Sequence, residues 1–311
     1  MALTISEAAK LAANNYEFHK AAVLATFAES SPLMRNMVVE TVPGLSYTWT
    51  REAFTSGGVG FRGINEGFAS DQGTFETLSV VLKEAGGDMD IDIKLLRNAA
   101  NGDEIRARHQ ALKSKTLGQL CASKLILGDS GADAREFDGL KIKTGGASPT
   151  AGGQVIDNGG GALSLKKLDE LMDSVDNNVG MKYLVMSKAM RRNLTAFLRN
   201  SVSISTGRDE FGSQIISYNG CPILEADESG NIATIGFDEE GSTTTSIYCV
   251  AIGESGLKVV QGAGGMDVRS LGERDSQPQE RIRVDWSIAL VDEHPRCAAR
   301  LFSMTNATAT A

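Results

Sequence analysis

Proline is scarce, with six in 311 residues against the roughly 5% of an average chain. Glycine is abundant at 34. That imbalance predicts extended hairpins and loops that need backbone freedom and excludes stiff spacers. Only four cysteines occur, Cys121, Cys221, Cys249 and Cys297, far apart and without a C-x-x-C pair. Neither a zinc knuckle nor a disulfide scaffold fits that spacing, so reduced, mostly buried thiols are expected. Positive charge is in deficit, with 31 Lys and Arg against 39 Asp and Glu, a net charge of −8. A domain built to grip nucleic acid over its whole surface shows the opposite balance. No 18-residue apolar run exists, and the opening MALTISEAAKLAANN has neither a basic n-region nor an apolar h-region. A membrane span and a secretory leader are not indicated, and synthesis in a cytoplasm is the expectation. Apolar residues at 41% still suffice for a packed core, and the length predicts about two domains or one large domain with insertions.

What is present changes period along the chain. Residues 5–14 and 17–29 are alanine-rich and read as short helices, the second closed by Ser31-Pro32. Alternation then takes over in LSYTWTRE (45–52), FETLSVVLKE (75–84) and DMDIDIKL (88–95), the last placing Met89, Ile91, Ile93 and Leu95 on one strand face. Between the first two runs, Ala53 to Thr74 carries glycine at 57, 58, 60, 63, 67 and 73. A connection this long and this rich in glycine is no helix. It reads as an extended hairpin whose aromatics await a neighbour. The longest helix is expected from Asp103 to Leu127, about 37 Å long, with Ile105, Leu112, Leu117, Leu120 and Leu127 as its apolar stripe. A glycine-rich loop (144–162) leads to a helix capped by Ser164, then the strand YLVM (183–186) and a helix capped by Ser187. Strands dominate after Ser201, through QIISYNG, PILEA, TSIYCVAI and GLKVVQ to RIRVDWSIALV (281–291), the cleanest alternation of all.

Motifs with chemistry are few. Gly58 to Gly63 matches G-x-G-x-x-G, but a dinucleotide site needs a helix directly after it, and here the match sits inside the hairpin. Asp88, Asp90 and Asp92 imitate a calcium loop, yet Ile93 stands where glycine is required, so they read as the wet face of a strand. His19, His109 and His294 are isolated, and no G-x-S-x-G or P-loop string occurs. Asp238-Glu239-Glu240 before Gly241 reads as a solvated turn. No catalytic, cofactor or metal residues emerge, and the expectation is a protein that is not an enzyme.

The ordered strings LILGDSGADAREFDGLKIK (125–143), KYLVMSKAMRRNLTAF (182–197), IYCVAIGESGLKVVQ (247–261) and RVDWSIALVDEHPRCAARLFSM (283–304) carry a resemblance. Together with the order of helical arm, glycine-rich hairpin, solitary long helix, α/β insertion and returning strands, the chain resembles the major capsid protein of tailed bacteriophages. The resemblance implies an α+β, Hong Kong 97-type fold. It divides the chain into an N-terminal arm (1–42), an E-loop (43–86), a P-domain with its spine helix (87–140), an A-domain (141–255), and a second P-domain part with the C-terminal tail (256–311). Phe18 and Phe27 of the arm and Phe54, Phe61, Arg62 and Phe68 of the hairpin would be assembly contacts, and Leu112, Leu117 and Leu120 the spine-helix core. The implied partners are other copies in hexamers and pentamers, packaged double-stranded DNA held without sequence specificity, a portal and a decoration protein. Because the chain begins at the arm, a scaffolding protein is expected to be separate. The implied place is a virion capsid assembled in host cytoplasm. An encapsulin-like compartment shares the fold and is the alternative.

Overall fold

The computed structural model describes residues 3–4, 31–54, 59–68, 70, 74–98, 102–145, 154–198, 204–208, 214–226, 234–239 and 243–310. The helices expected at 5–14 and 17–29, with Phe18 and Phe27, lie outside these residues. After β1 (Leu3–Thr4), Pro32 opens a short helix α1 (Pro32–Asn36), where its fixed φ and missing N–H cost nothing. The Ser31-Pro32 pair therefore starts a helix. Next come β2 (Val38–Val42), β3 (Ser46–Phe54), β4 (Thr74–Val81) and β5 (Lys83–Asp92). The alternation expected to reach Leu95 stops at Asp92, whose Oδ1 accepts the N–H of Lys94 at 2.7 Å and turns the chain into α2 (Ile93–Asn98). Leu95 is exposed as a result, and Leu96 is buried instead.

The long helix α3 (Gly102–Leu127) is followed by α4 (Leu140–Lys143), β6 (Val155–Asp157), α5 (Leu165–Ser174), β7 (Met181–Met186) and α6 (Lys188–Leu198). The remainder is strand: β8 (Ile204–Arg208), β9 (Gln214–Tyr218), β10 (Cys221–Glu225), β11 (Thr244–Ile252), β12 (Leu257–Arg274), β13 (Gln277–Asp292) and β14 (Ala298–Thr305). Asn219 and Gly220 join β9 to β10 with φ of 49° and 84°, the two left-handed residues that a tight hairpin turn demands. Ser187 Oγ accepts the N–H of Met190 at 3.3 Å and caps α6 as expected. Ser164 stands at the N-cap of α5, but its side chain makes no capping bond.

Twelve strands form one mixed sheet with the path β1-β2-β12-β11-β7-β10-β9-β8. β13 joins β12 to β5, and β14 joins β11 to β6. β11 is buried along its whole length because both its faces are covered. Tyr248, Val250 and Ile252 look toward α1 and α3, and Ile247, Cys249 and Ala251 toward α5 and α6. Two cores thus share one sheet. The first joins Leu33 and Met34 of α1 and its C-cap Met37 to α3 and to Val284, Trp286, Ile288 and Leu290 of β13. The second packs Leu168, Leu171 and Met172 with Met190, Leu194 and Leu198 over β7, β11 and β14.

The inner face of α3 differs from the expected stripe. Leu117 is buried, but Leu112 and Leu120 are exposed. The face toward the sheet is Ser114, Leu117, Gly118, Cys121, Ala122, Leu125 and Ile126. Small residues let the helix approach the sheet closely, so a reading keyed to leucines selects the opposite side. α3 ends where two glycines meet. The Gly128 N–H bonds to Lys124 O at 2.9 Å, and the Gly139 N–H to Gly128 O at 2.9 Å. A Cβ on Gly128 would lie 2.3 Å from Phe137 O, so only glycine fits.

The three aspartates of β5 are its wet face, and two of them, Asp88 and Asp90, are ion-paired. Arg283 lies opposite Asp88 and Arg281 opposite Asp90, each bonded through Nε at 2.7 Å, with Arg274 adding a bond to Asp90 at 3.0 Å. This ladder ties the edge strand to the end of the β12–β13 hairpin.

Candidate functional site

Strands β3 and β4 form a two-stranded sheet separate from the main one. Its register places Tyr47 opposite Val80, Trp49 opposite Leu78 and Arg51 opposite Glu76 on one face. Thr48, Thr50, Thr77 and Ser79 occupy the other face and are exposed. Period-2 alternation in LSYTWTRE accounts for this split, since each second side chain points to the same side. Tyr47, Trp49 and Val80 rest on Val42, Leu82, Val260, Ala289 and Val291. Only the root of the hairpin touches the body this way.

At the tip, Val59, Phe61 and Ile64 are almost wholly exposed, and Phe68 is 66% exposed. Asn65 adopts φ 70° and turns the loop, while Glu66 Oε2 accepts the Gly63 N–H at 2.9 Å. Arg62 is not waiting for a partner. Its guanidinium donates to Glu66 O at 3.0 Å and lies 5.1 Å from the Phe68 ring centroid, a cation–π contact within the tip. Phe54 closes β3. The G-x-G-x-x-G string lies between antiparallel strands, without the helix a dinucleotide site requires.

The root holds the densest charge in the hairpin, and sequence reasoning missed it. Lys258 on β12 has a side chain only 4% exposed. Its Nζ lies 2.5 Å from Glu40 of β2, 2.5 Å from Glu293 and 3.2 Å from the Tyr47 hydroxyl, which itself donates to Glu293 at 2.7 Å. Burial opposes the ammonium, but hydrogen bonds to Glu293, Glu40 and Tyr47 overcome it and raise the Lys258 pKa. Burial also raises the Tyr47 hydroxyl pKa, helped by Glu293. Beside this group, Arg51 bridges Glu76 at 3.1 Å and Asp292 at 3.2 Å, and Lys143 of α4 reaches Asp292 at 2.5 Å. The available signal was a lysine inside the apolar run Leu257-Lys258-Val259-Val260, which needs a buried partner.

A second correction concerns Glu239. It is buried and holds Arg300, which is fully buried on β14, at 2.8 Å. Ser246 Oγ accepts from Arg300 Nε at 3.0 Å and donates to Glu239, and Lys141 Nζ stands 3.6 Å from the same carboxylate. Glu239 is therefore a structural ion-pair residue and not part of a solvated turn, while Asp238 is exposed as expected and Glu240 lies outside the described residues. Burial pushes Cys121, Cys249 and Cys297 up to about 12, so these thiols are inert. Among the described residues no three His, Cys, Asp or Glu side chains are grouped to hold a metal ion.

No family model and no curated protein matches the sequence. Solved structures do match. The holo-SrpI encapsulin complex from Synechococcus elongatus aligns at TM-score 0.69 and 17% identity, over 91% of each chain. The capsid of an empty GTA particle aligns at TM-score 0.60 and 14% identity, over 89% of this chain and 90% of that one. A protein of Mycobacterium phage Bobi aligns at 0.56 and 12%, over 92% and 90%. The chain has the Hong Kong 97-type fold. Within this Hong Kong 97-type fold, the β3–β4 hairpin carries the candidate site: a root packed and ion-paired against the body, and a tip whose Val59, Phe61 and Ile64 are exposed.

Proposed function

We propose that this chain is a structural shell subunit, the major head protein of a tailed phage, which assembles through hexamers and pentamers into an icosahedral shell around double-stranded DNA. The observation that carries this reading is the hairpin tip, where Val59, Phe61 and Ile64 find almost no cover, and Phe68 only partial cover, among the described residues. Apolar surface of this kind is worth about 25 cal/mol per Å² once a neighbour covers it, before the costs of association. Under this proposal residues 1–42 are the arm, 43–86 the E-loop, and 87–140 with 256–311 the P-domain around 141–255 as the A-domain. The net charge of −8 suits a wall from which packaged DNA must slide freely. The role is mechanical, with no catalytic step. Scaffold, portal and decoration proteins are its proposed partners in host cytoplasm.

An encapsulin-like compartment is the second reading, favoured by the TM-score of 0.69 to the encapsulin against 0.60 and 0.56 for the two capsids. Expression of the full chain, with scaffold supplied, followed by negative-stain microscopy and light scattering, tests the shared core of both. Closed shells, capsomers or tubes are expected. A strictly monomeric species at high concentration overturns both readings. Nuclease-protected DNA in particles isolated from the native host decides for the phage head, and a co-purifying enzyme cargo decides for the compartment.

A further inference from the structure

We propose that the hairpin root is an electrostatic latch in which Asp292 and Glu293 are positioning residues. They set the pitch of β3–β4 against the body and, resting on the shell reading above, the uniformity of shell diameter. Among the described residues, two kinds of side-chain link join the hairpin to the body, apolar and charged. The apolar contacts of Tyr47, Trp49 and Val80 are non-directional and tolerate sliding. The backbone bond from Leu82 N–H to Leu45 O at 2.8 Å continues the β3–β4 ladder by one pair and ties the two hairpin strands to each other at the root, without fixing their angle to the body. The charged links are directional and set at two separate points. Tyr47 binds Glu293, and Arg51 binds Asp292. Tyr47 and Arg51 sit four residues apart on one face of β3, about 13 Å along the strand. The donors are that far apart on β3 while their acceptors, Asp292 and Glu293, are consecutive residues, so the two bonds together constrain the hairpin's angle more than a single one could.

Each anchor is backed from the body side. Lys258 of β12, itself paired with Glu40 of β2, holds Glu293, and Lys143 of α4 holds Asp292, so each acceptor has its own cation on the body. Glu76 of β4 grips Arg51 from the other strand, so both strands of the hairpin are engaged. Around the Arg51 anchor, a crevice of about 220 Å³ opens between the hairpin and the body, lined by Trp49, Arg51 and Leu78 on one side and Asp138, Lys143 and Asp292 on the other. That space is what a rocking hairpin needs, and its presence leaves the charged links to hold the angle.

The test compares the full chain with the double variant Asp292→Asn, Glu293→Gln, which keeps shape and removes both charges. Hydrogen exchange read by mass spectrometry should show peptides from 46–54 and 74–81 exchanging at least tenfold faster. Peptides from β11 and β14 should be unchanged, which shows that the body is folded. Shells of the variant should have a wider spread of diameters by electron microscopy. If the double variant loses protection in β11 and β14, Arg51→Gln takes its place, since it leaves the Lys143–Asp292 and Lys258–Glu293 pairs intact. Unchanged hairpin exchange in a folded variant overturns the latch. Faster hairpin exchange with an unaltered diameter distribution overturns its link to the shell. An unmodified chain that forms no shells overturns the shell reading, while the exchange comparison still decides the latch.

Discussion

Arg300 shows how a residue's role depends on a partner far off in sequence. It lies in the apolar run Ala298-Ala299-Arg300-Leu301-Phe302 of β14 and is fully buried, so its charge must be matched by a buried acid. That acid, Glu239, sits in an Asp-Glu-Glu string whose composition reads as a wet turn. Nothing local announces that β11 and β14 will bring the two together. Breaking such a pair strands one charge, so Arg300→Met should lower stability by about 3–5 kcal/mol in urea unfolding. Adding Glu239→Gln to that variant should recover part of the loss, because the stranded carboxylate is then gone. The cysteines were easier to read, since apolar neighbours already pointed to burial. With Cys121, Cys249 and Cys297 buried and pushed up to about 12, a thiol reagent at neutral pH should label only the half-buried Cys221 in the folded chain. Fast labelling of two or more thiols would show that the cores open more readily than their packing implies.

At the scale of elements, period and punctuation carried most of the information. The long helix was expected from 103 to 127 and runs from Gly102 to Leu127, the runs at 45–52 and 281–291 fall almost wholly in β3 and β13, and the run at 75–84 is divided at Leu82 between β4 and β5 of different sheets. The face of α3 was not legible, because Ser114, Gly118, Cys121 and Ala122 give a weak apolar signal while Leu112 and Leu120 give a strong one on the outer side. Leu117→Asp should therefore unfold the chain, since a buried, unpaired carboxylate costs several kcal/mol out of a total of about 5–15. Leu120→Asp should leave the unfolding midpoint nearly unchanged, and a large loss there would put the outer stripe back in the core. The β5 aspartates were rightly read as a strand's wet face, but their arginines, nearly 200 residues later, were not foreseen. Arg283 and Arg281 hydrogen bonds hold Asp88 and Asp90 below their ordinary value of 3.8. Carboxylates depressed in the folded state stabilise it fully above that value and lose the contribution as pH falls below it, through the lowered native pKa. Unfolding midpoints followed against pH should thus show Asp88→Asn, Asp90→Asn weaker than the parent at neutral pH, with the gap closing below about pH 4. A gap that stays constant down to pH 2 would mean that the ladder pairs contribute nothing through charge.

For the whole molecule, the order of elements was more telling than any one of them. A glycine-laden stretch between two alternating runs was enough to mark a separate hairpin, because no helix and no tight turn can use such a segment. How that hairpin is fastened was hidden, since Glu40 and Tyr47 lie more than 200 residues from Lys258 and Glu293 and meet them only in the fold. The tip presents the complementary problem. Arg62 is satisfied by Glu66 and Phe68 within its own loop, so the charge that looked available for a neighbour is already engaged, and Phe61 and Ile64 are what remain. Assembly through this tip should then be driven by apolar cover and respond weakly to salt, as contacts between exposed charges would not. Phe61→Ser, Ile64→Ser should leave the unfolding midpoint of the chain unchanged, because neither side chain packs on its own body, and should raise the concentration needed for assembly at least tenfold. Light scattering across a concentration series, run in parallel at 50 mM and 500 mM salt, reads both effects. Trypsin gives the matching structural readout: cleavage after Arg62 should be fast in unassembled chain and slow in shells, where a neighbour lies over the tip. A doubly substituted chain that assembles at the parent concentration, or equal protection of Arg62 in both forms, would remove the tip from the contact and leave the arm and the body surfaces to hold the shell.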